Sequence, residues 1–261
     1  VNRKACHDAR VAHARDLSLE RIRTTVLRLF IAADGATLRK EDEQKCRELA
    51  GLLRFLTKLR AGAHVVDAAA GKASVGLVLA ELLQVDALTV IERDPPRVVA
   101  CRDAVGRLTR ALRVEVREAD VGDAAAWPVG ADAVVALHAC GPAADLVIDA
   151  AIRARARHVL VAPCCYGRTV PFRATAAAVV ANMAFAADDL VRRRMTASLV
   201  DMHRKLRLEA AGYETVIEEF VAPTVTPHNL VLSARHTGSG VRIARAEERL
   251  AALHAAARVT G

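Results

Sequence analysis

Aromatic residues are almost absent from this chain. Its 261 residues include one Trp, two Tyr and five Phe. Burial must therefore come from Val, Leu, Ile and Ala, the composition of helices packed on a parallel sheet covered on both faces. No apolar run approaches the length of a bilayer span, and the Arg-rich first residues lack an apolar leader segment. A soluble, unexported, cytoplasmic protein is expected, with no membrane partner. None of the six cysteines (Cys6, Cys46, Cys101, Cys140, Cys164 and Cys165) forms a C-x-x-C pair. That excludes a disulfide framework and predicts no metal centre. A complete glycine-rich loop is missing too. In its place stands HVVDAAAGKA (His64–Ala73), an apolar run that stops at an acid and turns through small residues into the helical run Ser74–Leu83. Such a turn lets a nucleotide-like cofactor approach the backbone. The acid disfavours a dinucleotide's phosphates and suits a cofactor with a ribose and a cationic amine, S-adenosylmethionine.

Positive charge is in excess, with a net charge of +8. The excess fits a polyanionic partner such as RNA and equally fits an arginine-rich composition. The length allows one large α/β domain with additions. Apolar residues at Ile22, Val26, Leu29 and Phe30 have helical spacing, so Arg21–Ala33 reads as an amphipathic helix. After a break at Asp34-Gly35, Lys40–Leu59 reads as another, its apolar face formed by Leu49, Leu52, Leu53, Leu56 and Leu59. These helices are expected to cap the sheet, wall the cleft, or both.

From His64 the pattern alternates between strand and helix. Strands are expected at Val65–Asp67, Ala87–Glu92, Arg113–Asp120, Asp132–His138, His158–Cys165, Tyr213–Val221 and Asn229–Arg235. The connection between the last two is too short for a parallel crossover, so they must run antiparallel to each other. The predicted fold is α/β: a Rossmann-like, seven-stranded, mostly parallel sheet with an antiparallel last strand and helices on both faces. Boundaries are placed at 1–60 for the N-terminal helical addition, 61–237 for the sheet domain and 238–261 for a solvated helical tail.

Ligands of such sheets lie at the carboxyl ends of the strands. Those ends carry Asp67, then Glu92 with Arg93, then Asp120 with Val121. Glu92 is placed to accept both ribose hydroxyls and Asp120 to accept from the adenine amino group. The fourth and fifth strands end in LHACG (Leu137–Gly141) and PCCYG (Pro163–Gly167). Span 45–235 resembles class I methyltransferases. The LHACG and PCCY pair resembles a branch holding tRNA 2′-O-methyltransferases and rRNA-dimethylase-domain-like proteins. By that resemblance Asp67, Ala69, Gly71, Lys72 and Ala73 stand for the acid and glycine-rich turn that wraps the methionine end, with alanine at two glycine positions. His138, Cys140, Gly141 and Asp145 match the strand-four motif; Ala144 stands where the tRNA enzymes often carry Thr. Leu137 and His138 would also border the cofactor.

His138 is the first candidate for a general base, or it shapes the cofactor pocket. Asp145 orients it or caps the next helix. Tyr166 places an acceptor by hydrogen bond or stacks on a base. Cys140, Cys164 and Cys165 admit a covalent role in pyrimidine methylation, a structural role, or metal ligation without paired spacing. Arg192–Arg194 with His203, Arg204 and Lys205 form a basic lid or a solvated helix face. The substrate surface is expected to comprise Cys140, Cys165, Tyr166, Arg193, Arg194, His203, His228 and Asn229. The leading expectation is methylation of RNA, tRNA first. The alternatives are a small-molecule or protein side-chain methyltransferase and a catalytically silent cofactor-binding scaffold. Oligomeric state is not legible.

Overall fold

The computed structural model describes residues 17–32, 35–183 and 189–258. Cys6, Asp34 and Phe185 lie outside them. The expected helix at Arg21–Ala33 begins earlier, as α1 (Leu19–Val26), and continues as a π-helical turn, Leu27–Ile31. Its start is fixed by Ser18, whose side chain accepts from the Arg21 N–H. The next helix, α2 (Lys40–Leu53), carries Glu41, Asp42 and Glu43 in its first turn, where negative charge meets the positive end of the helix dipole. It tightens to a 3₁₀ turn at Arg54–Leu56, short of the expected end at Leu59.

Then come β1 (Ala63–Ala68), α3 (Ser74–Leu82), β2 (Val85–Glu92), α4 (Pro95–Val105), β3 (Arg113–Glu118), β4 (Ala133–Ala139), α5 (Ala143–Arg153) and β5 (His158–Pro163). A long connection follows through α6 (Arg173–Ala181) and α7 (Asp189–Ala210). The chain closes with β6 (Tyr213–Glu219), β7 (Leu230–His236) and α8 (Gly240–Arg258). One seven-stranded sheet has the order β3-β2-β1-β4-β5-β7-β6. β1 to β5 are parallel, and β7 runs antiparallel to both β5 and β6. This is the expected sheet, with strand ends shifted by a residue or two.

Both faces are buried because successive strand residues point to opposite sides. Val65 packs with Ile22, Leu29, Leu49 and Leu77 under α1–α3. Its neighbour Val66 packs with Val147, Ile148 and Leu208 under α5 and α7. The helices preceding β1 thus share a core with the sheet. α2 lies along the carboxyl edge: Glu48 reaches the end of β4, and Gly51 sits against Phe220, just beyond β6. A Cβ at Gly51 would lie 2.1 Å from the Phe220 carbonyl oxygen, so only glycine admits this approach. The tail is the expected helix, exposed along most of its described length and anchored at a few positions. In α8, Ala246 is buried and Leu253 packs into a small cluster with Phe172 and Val200. Among the described residues no helix is long and apolar enough to cross a membrane.

Candidate active site

The strand order reverses between β1 and β4, and the parallel strands open a crevice at their carboxyl ends there. A cleft of about 310 Å³ occupies it, lined by Ala69, Glu92, Arg93, Asp120, Val121 and His138 together with Cys140 and Leu146. Four successive strand ends therefore converge as expected. Asp67, Gly71, Lys72 and Leu137 do not line this cleft. Lys72 is exposed on the turn, and Leu137 packs on the core.

The turn after β1 passes through left-handed backbone at three residues. Ala69 and Ala73 both adopt left-handed backbone, with φ of 52° and 57°, beside Gly71 at 61°. An L-alanine there costs about 1 kcal/mol each, which the closed turn must offset. Three hydrogen bonds close it: Ala70 N to Ile91 O, Ala73 N to Ala70 O, and Gly71 N to Glu92 Oε2 at 2.6 Å. The alanines therefore take the left-handed conformation that glycine adopts without strain.

Glu92 is buried, and its carboxylate already has three donors. Oε1 accepts from the Arg93 and Asp94 N–H groups, and Oε2 from Gly71. A carboxylate offers about four lone-pair sites, so one direction is left for a ligand rather than the two a ribose diol would use. Asp120 takes Gly122 N–H on Oδ1 and Arg93 Nη1 on Oδ2, the latter at 3.1 Å on an exposed surface. Arg93 thus guards the carboxylate at the cleft's far wall.

Asp67 is buried behind the turn, its Oδ2 accepting from Gly76 N–H at 2.7 Å in the first turn of α3. A Cβ at Gly76 would lie 2.8 Å from the Asp67 Cβ, so glycine is required there. Burial pushes the Asp67 carboxyl up to about 7, the Gly76 bond opposing and the Glu92 charge adding to the rise. The folded chain therefore holds a proton that the unfolded chain releases near pH 4, and stability from this group declines as pH rises from about 4 to 7. Asp67→Asn should shrink the loss of unfolding free energy between pH 5 and pH 8 by about 2–3 kcal/mol, read from urea melts of both proteins.

His138 adopts φ of 60°, where the pairing of β4 with β5 is irregular between Leu137 and Ala139. A bulky residue held there is strained by roughly 1–3 kcal/mol, a cost typical of functional positions. The bend turns the imidazole toward α2, and Nε2 lies 3.0 Å from Glu48 Oε2. Glu48, buried on the apolar face of α2, also accepts from Lys45 Nζ at 2.7 Å and Gln44 Nε2 at 3.2 Å. Burial alone would raise its pKa, but the bonds from His138 and Lys45 prevail and hold it at about 2. A stable carboxylate thus fixes the ring through Nε2 and leaves Nδ1 as the nitrogen for a proton.

Asp145 neither orients His138 nor caps α5. Its carboxylate is claimed by Arg204, at 2.7 Å from Nη2, and by Arg207 Nη1 at 2.9 Å. The Tyr166 hydroxyl donates to Asp201 at 2.5 Å, and burial and that carboxylate push its pKa up. Its ring lines a second, basic cleft of about 580 Å³ with Arg173, Arg192, Arg193, Arg194 and His228. His203 is not part of that cleft. It stacks on Phe172 at 3.9 Å between ring centroids, and burial and Arg207 lower its pKa to about 4. Arg204 is fully buried rather than part of a basic lid. Asn229 donates to the Val221 carbonyl and closes the β6–β7 connection. Glu48 escaped the sequence reading, although an acid between Lys45 and Leu52 on an apolar helical face was its signal.

Strand order and direction are those of a Rossmann-like sheet with an antiparallel last strand. Residues 43–169, just under half of the chain, match a family model described as a methyltransferase domain. A glutathione S-transferase C-terminal domain-containing protein of Xenopus laevis is 31% identical over 137 residues, 52% of this chain and 21% of that protein. Its homologue in Drosophila pseudoobscura pseudoobscura is 25% identical over 232 residues, 78% of this chain and 38% of that protein. The chain thus spans well under half the length of these curated relatives. A magnesium protoporphyrin IX methyltransferase from Synechocystis PCC 6803, solved with bound SAH, superposes with a TM-score of 0.47. It is 12% identical, and the match covers 88% of this chain and 99% of that one.

Proposed function

We propose that this chain is an S-adenosylmethionine-dependent methyltransferase acting on RNA, with tRNA the first substrate class to test. The observation that carries the reading is the convergence of Glu92, Asp120, Val121 and the strained His138 on one cleft at the sheet's switch point. The match of residues 43–169 to a methyltransferase domain supports it.

The residues fit the cofactor. Glu92 has one acceptor site left that would take a ribose hydroxyl, and Asp120, now paired with the exposed Arg93, would take the adenine amino group. Asp67 would act from behind the turn, through the bond it accepts from Gly76 N–H, rather than by touching the cofactor. The bound cofactor would supply an electrophilic methyl group. The chain's own work is to align the acceptor and receive its proton: His138 Nδ1 takes the proton while Glu48 holds Nε2. The basic cleft at Tyr166 and Arg192–Arg194 supports RNA as the acceptor, since clustered guanidinium groups neutralise backbone phosphates and an aromatic ring offers a stacking surface.

Calorimetry with S-adenosylmethionine should show binding weakened about 10–100-fold in Glu92→Gln, the loss of a charged hydrogen bond. Labelled methyl groups should then enter the RNA of a fractionated extract. Absence of heat with the unsubstituted protein would overturn the cofactor assignment. Label entering only protein or metabolites would overturn the RNA assignment and leave the cofactor assignment standing.

A further inference from the structure

Cysteines from two loops meet at the edge of the candidate active site. Cys140 follows β4, and Cys164 and Cys165 follow β5, the strand paired with it. Their sulfur atoms lie 2.6 Å (Cys140–Cys164), 3.5 Å (Cys164–Cys165) and 3.7 Å (Cys165–Cys140) apart. Among the described residues this is the one cluster of His, Cys, Asp and Glu with metal-binding spacing. The loops that carry it also touch each other, since a Cβ on Gly141 would lie 3.2 Å from Thr169 Oγ1. Cys46 and Cys101, by contrast, are buried singly in the core.

We propose that Cys140, Cys164 and Cys165 bind one thiophilic divalent ion of the zinc class as a three-thiolate site. Zinc–sulfur bonds of about 2.3 Å in a tetrahedron separate neighbouring sulfurs by about 3.8 Å. Two of the three separations already approach that value. The third must widen by roughly 1 Å, and the exposed Cys140 is the ligand with room to move. A disulfide would use two of these sulfurs and leave the third idle, whereas a d¹⁰ ion engages all three. On binding, three Zn–S bonds form and three Sγ–H protons pass to solvent.

Three protein ligands leave a fourth position for water or for an oxygen, nitrogen or sulfur atom of an acceptor, as in catalytic rather than structural zinc sites. Its placement gives that position a use. Cys140 lines the cleft that holds His138 and Glu92, and Cys165 directly precedes Tyr166, which lines the basic cleft. The ion would stand at the rim of the first cleft, one residue in sequence from the wall of the second. The binding claim rests on thiols alone and needs no methyl donor, so it stands or falls separately from the methyl-transfer reading.

The test uses reduced, metal-free full chain under anaerobic conditions. Zinc titrated against a chromophoric chelator should load one ion per chain, and cobalt(II) should give a thiolate charge-transfer band. Cys140→Ser and Cys165→Ser, both at exposed positions, should each weaken uptake by more than the roughly tenfold cost of disturbing an outer partner. Zinc should also shield Cys140 and Cys165 of the unsubstituted protein from alkylation, a readout that needs no variant. Lack of uptake by the reduced protein would overturn the proposal. Uptake that persists unchanged in the Cys140→Ser, Cys165→Ser double variant, or alkylation equally fast with and without zinc, would do the same.

Discussion

Replacing Glu48 by Gln is expected to cut the rate of methyl transfer by about 10²-fold or more while leaving affinity for S-adenosylmethionine unchanged. The substitution keeps the volume and removes the charge. Glu48 is the shared acceptor for His138 Nε2, Lys45 and Gln44. A neutral amide loses the charge-assisted character of those bonds, and the ring of His138 gains freedom to rotate on its strained backbone. Nδ1 is then no longer held ready for the acceptor's proton. Single-turnover rates and calorimetry on the same preparation check both halves. A rate within twofold of the unsubstituted protein would remove His138 and Glu48 as a working pair.

The same carboxylate sets an acid limit. Its folded pKa of about 2 lies below the ordinary 4.5, so its stabilisation is fully present above about pH 4.5 and fades as pH falls toward 2. Glu48→Gln should therefore flatten the loss of stability across that acid window.

The second large effect belongs to Arg204. This guanidinium is fully buried between Asp145 and Asp201, and Arg207 bridges Asp145 to Asp149. Removing one member of such a group leaves an opposite charge buried with too few partners, which typically costs 3–5 kcal/mol. Arg204→Met should lower the melting temperature by roughly 10 °C or more. Asp145→Leu should approach it, softened because Arg204 keeps Asp201. The double variant Asp145→Leu, Arg204→Met should recover part of the loss, because apolar side chains of similar volume leave fewer charges uncompensated. Thermal melts of the three proteins decide the matter. Additive losses in the double variant would show that the two side chains do not act as a pair.

Asp145 illustrates what a linear motif conveys and what it omits. Its spacing from His138 is legible, and the family resemblance invites a role beside the imidazole. Its partner comes instead from α7, 59 residues later. His203 has the same history: it lies one residue from Arg204 in sequence, yet it turns to Phe172 and to His254 of α8 rather than to the basic cleft. Helical periodicity says which residues share a face, not which element that face will meet.

The seven strands, their direction and the ends that carry Glu92, Asp120 and His138 were determined by the sequence itself. Alternation of apolar runs with helices leaves one economical sheet, and a short last connection forces the antiparallel strand. The path of the Asp67–Ala73 turn was not local, since bonds to Ile91 and Glu92 of β2 help hold two alanines in left-handed backbone. Only the tertiary structure decided the partners. It placed Glu48 against His138 across 90 residues and Arg204 against Asp145. It also brought Cys140 to Cys164 and Cys165 through the pairing of β4 with β5. The physical reason is that hydrogen bonds and ion pairs depend on distance in space. Distances between side chains far apart in the chain arise only when the sheet and its helices close together.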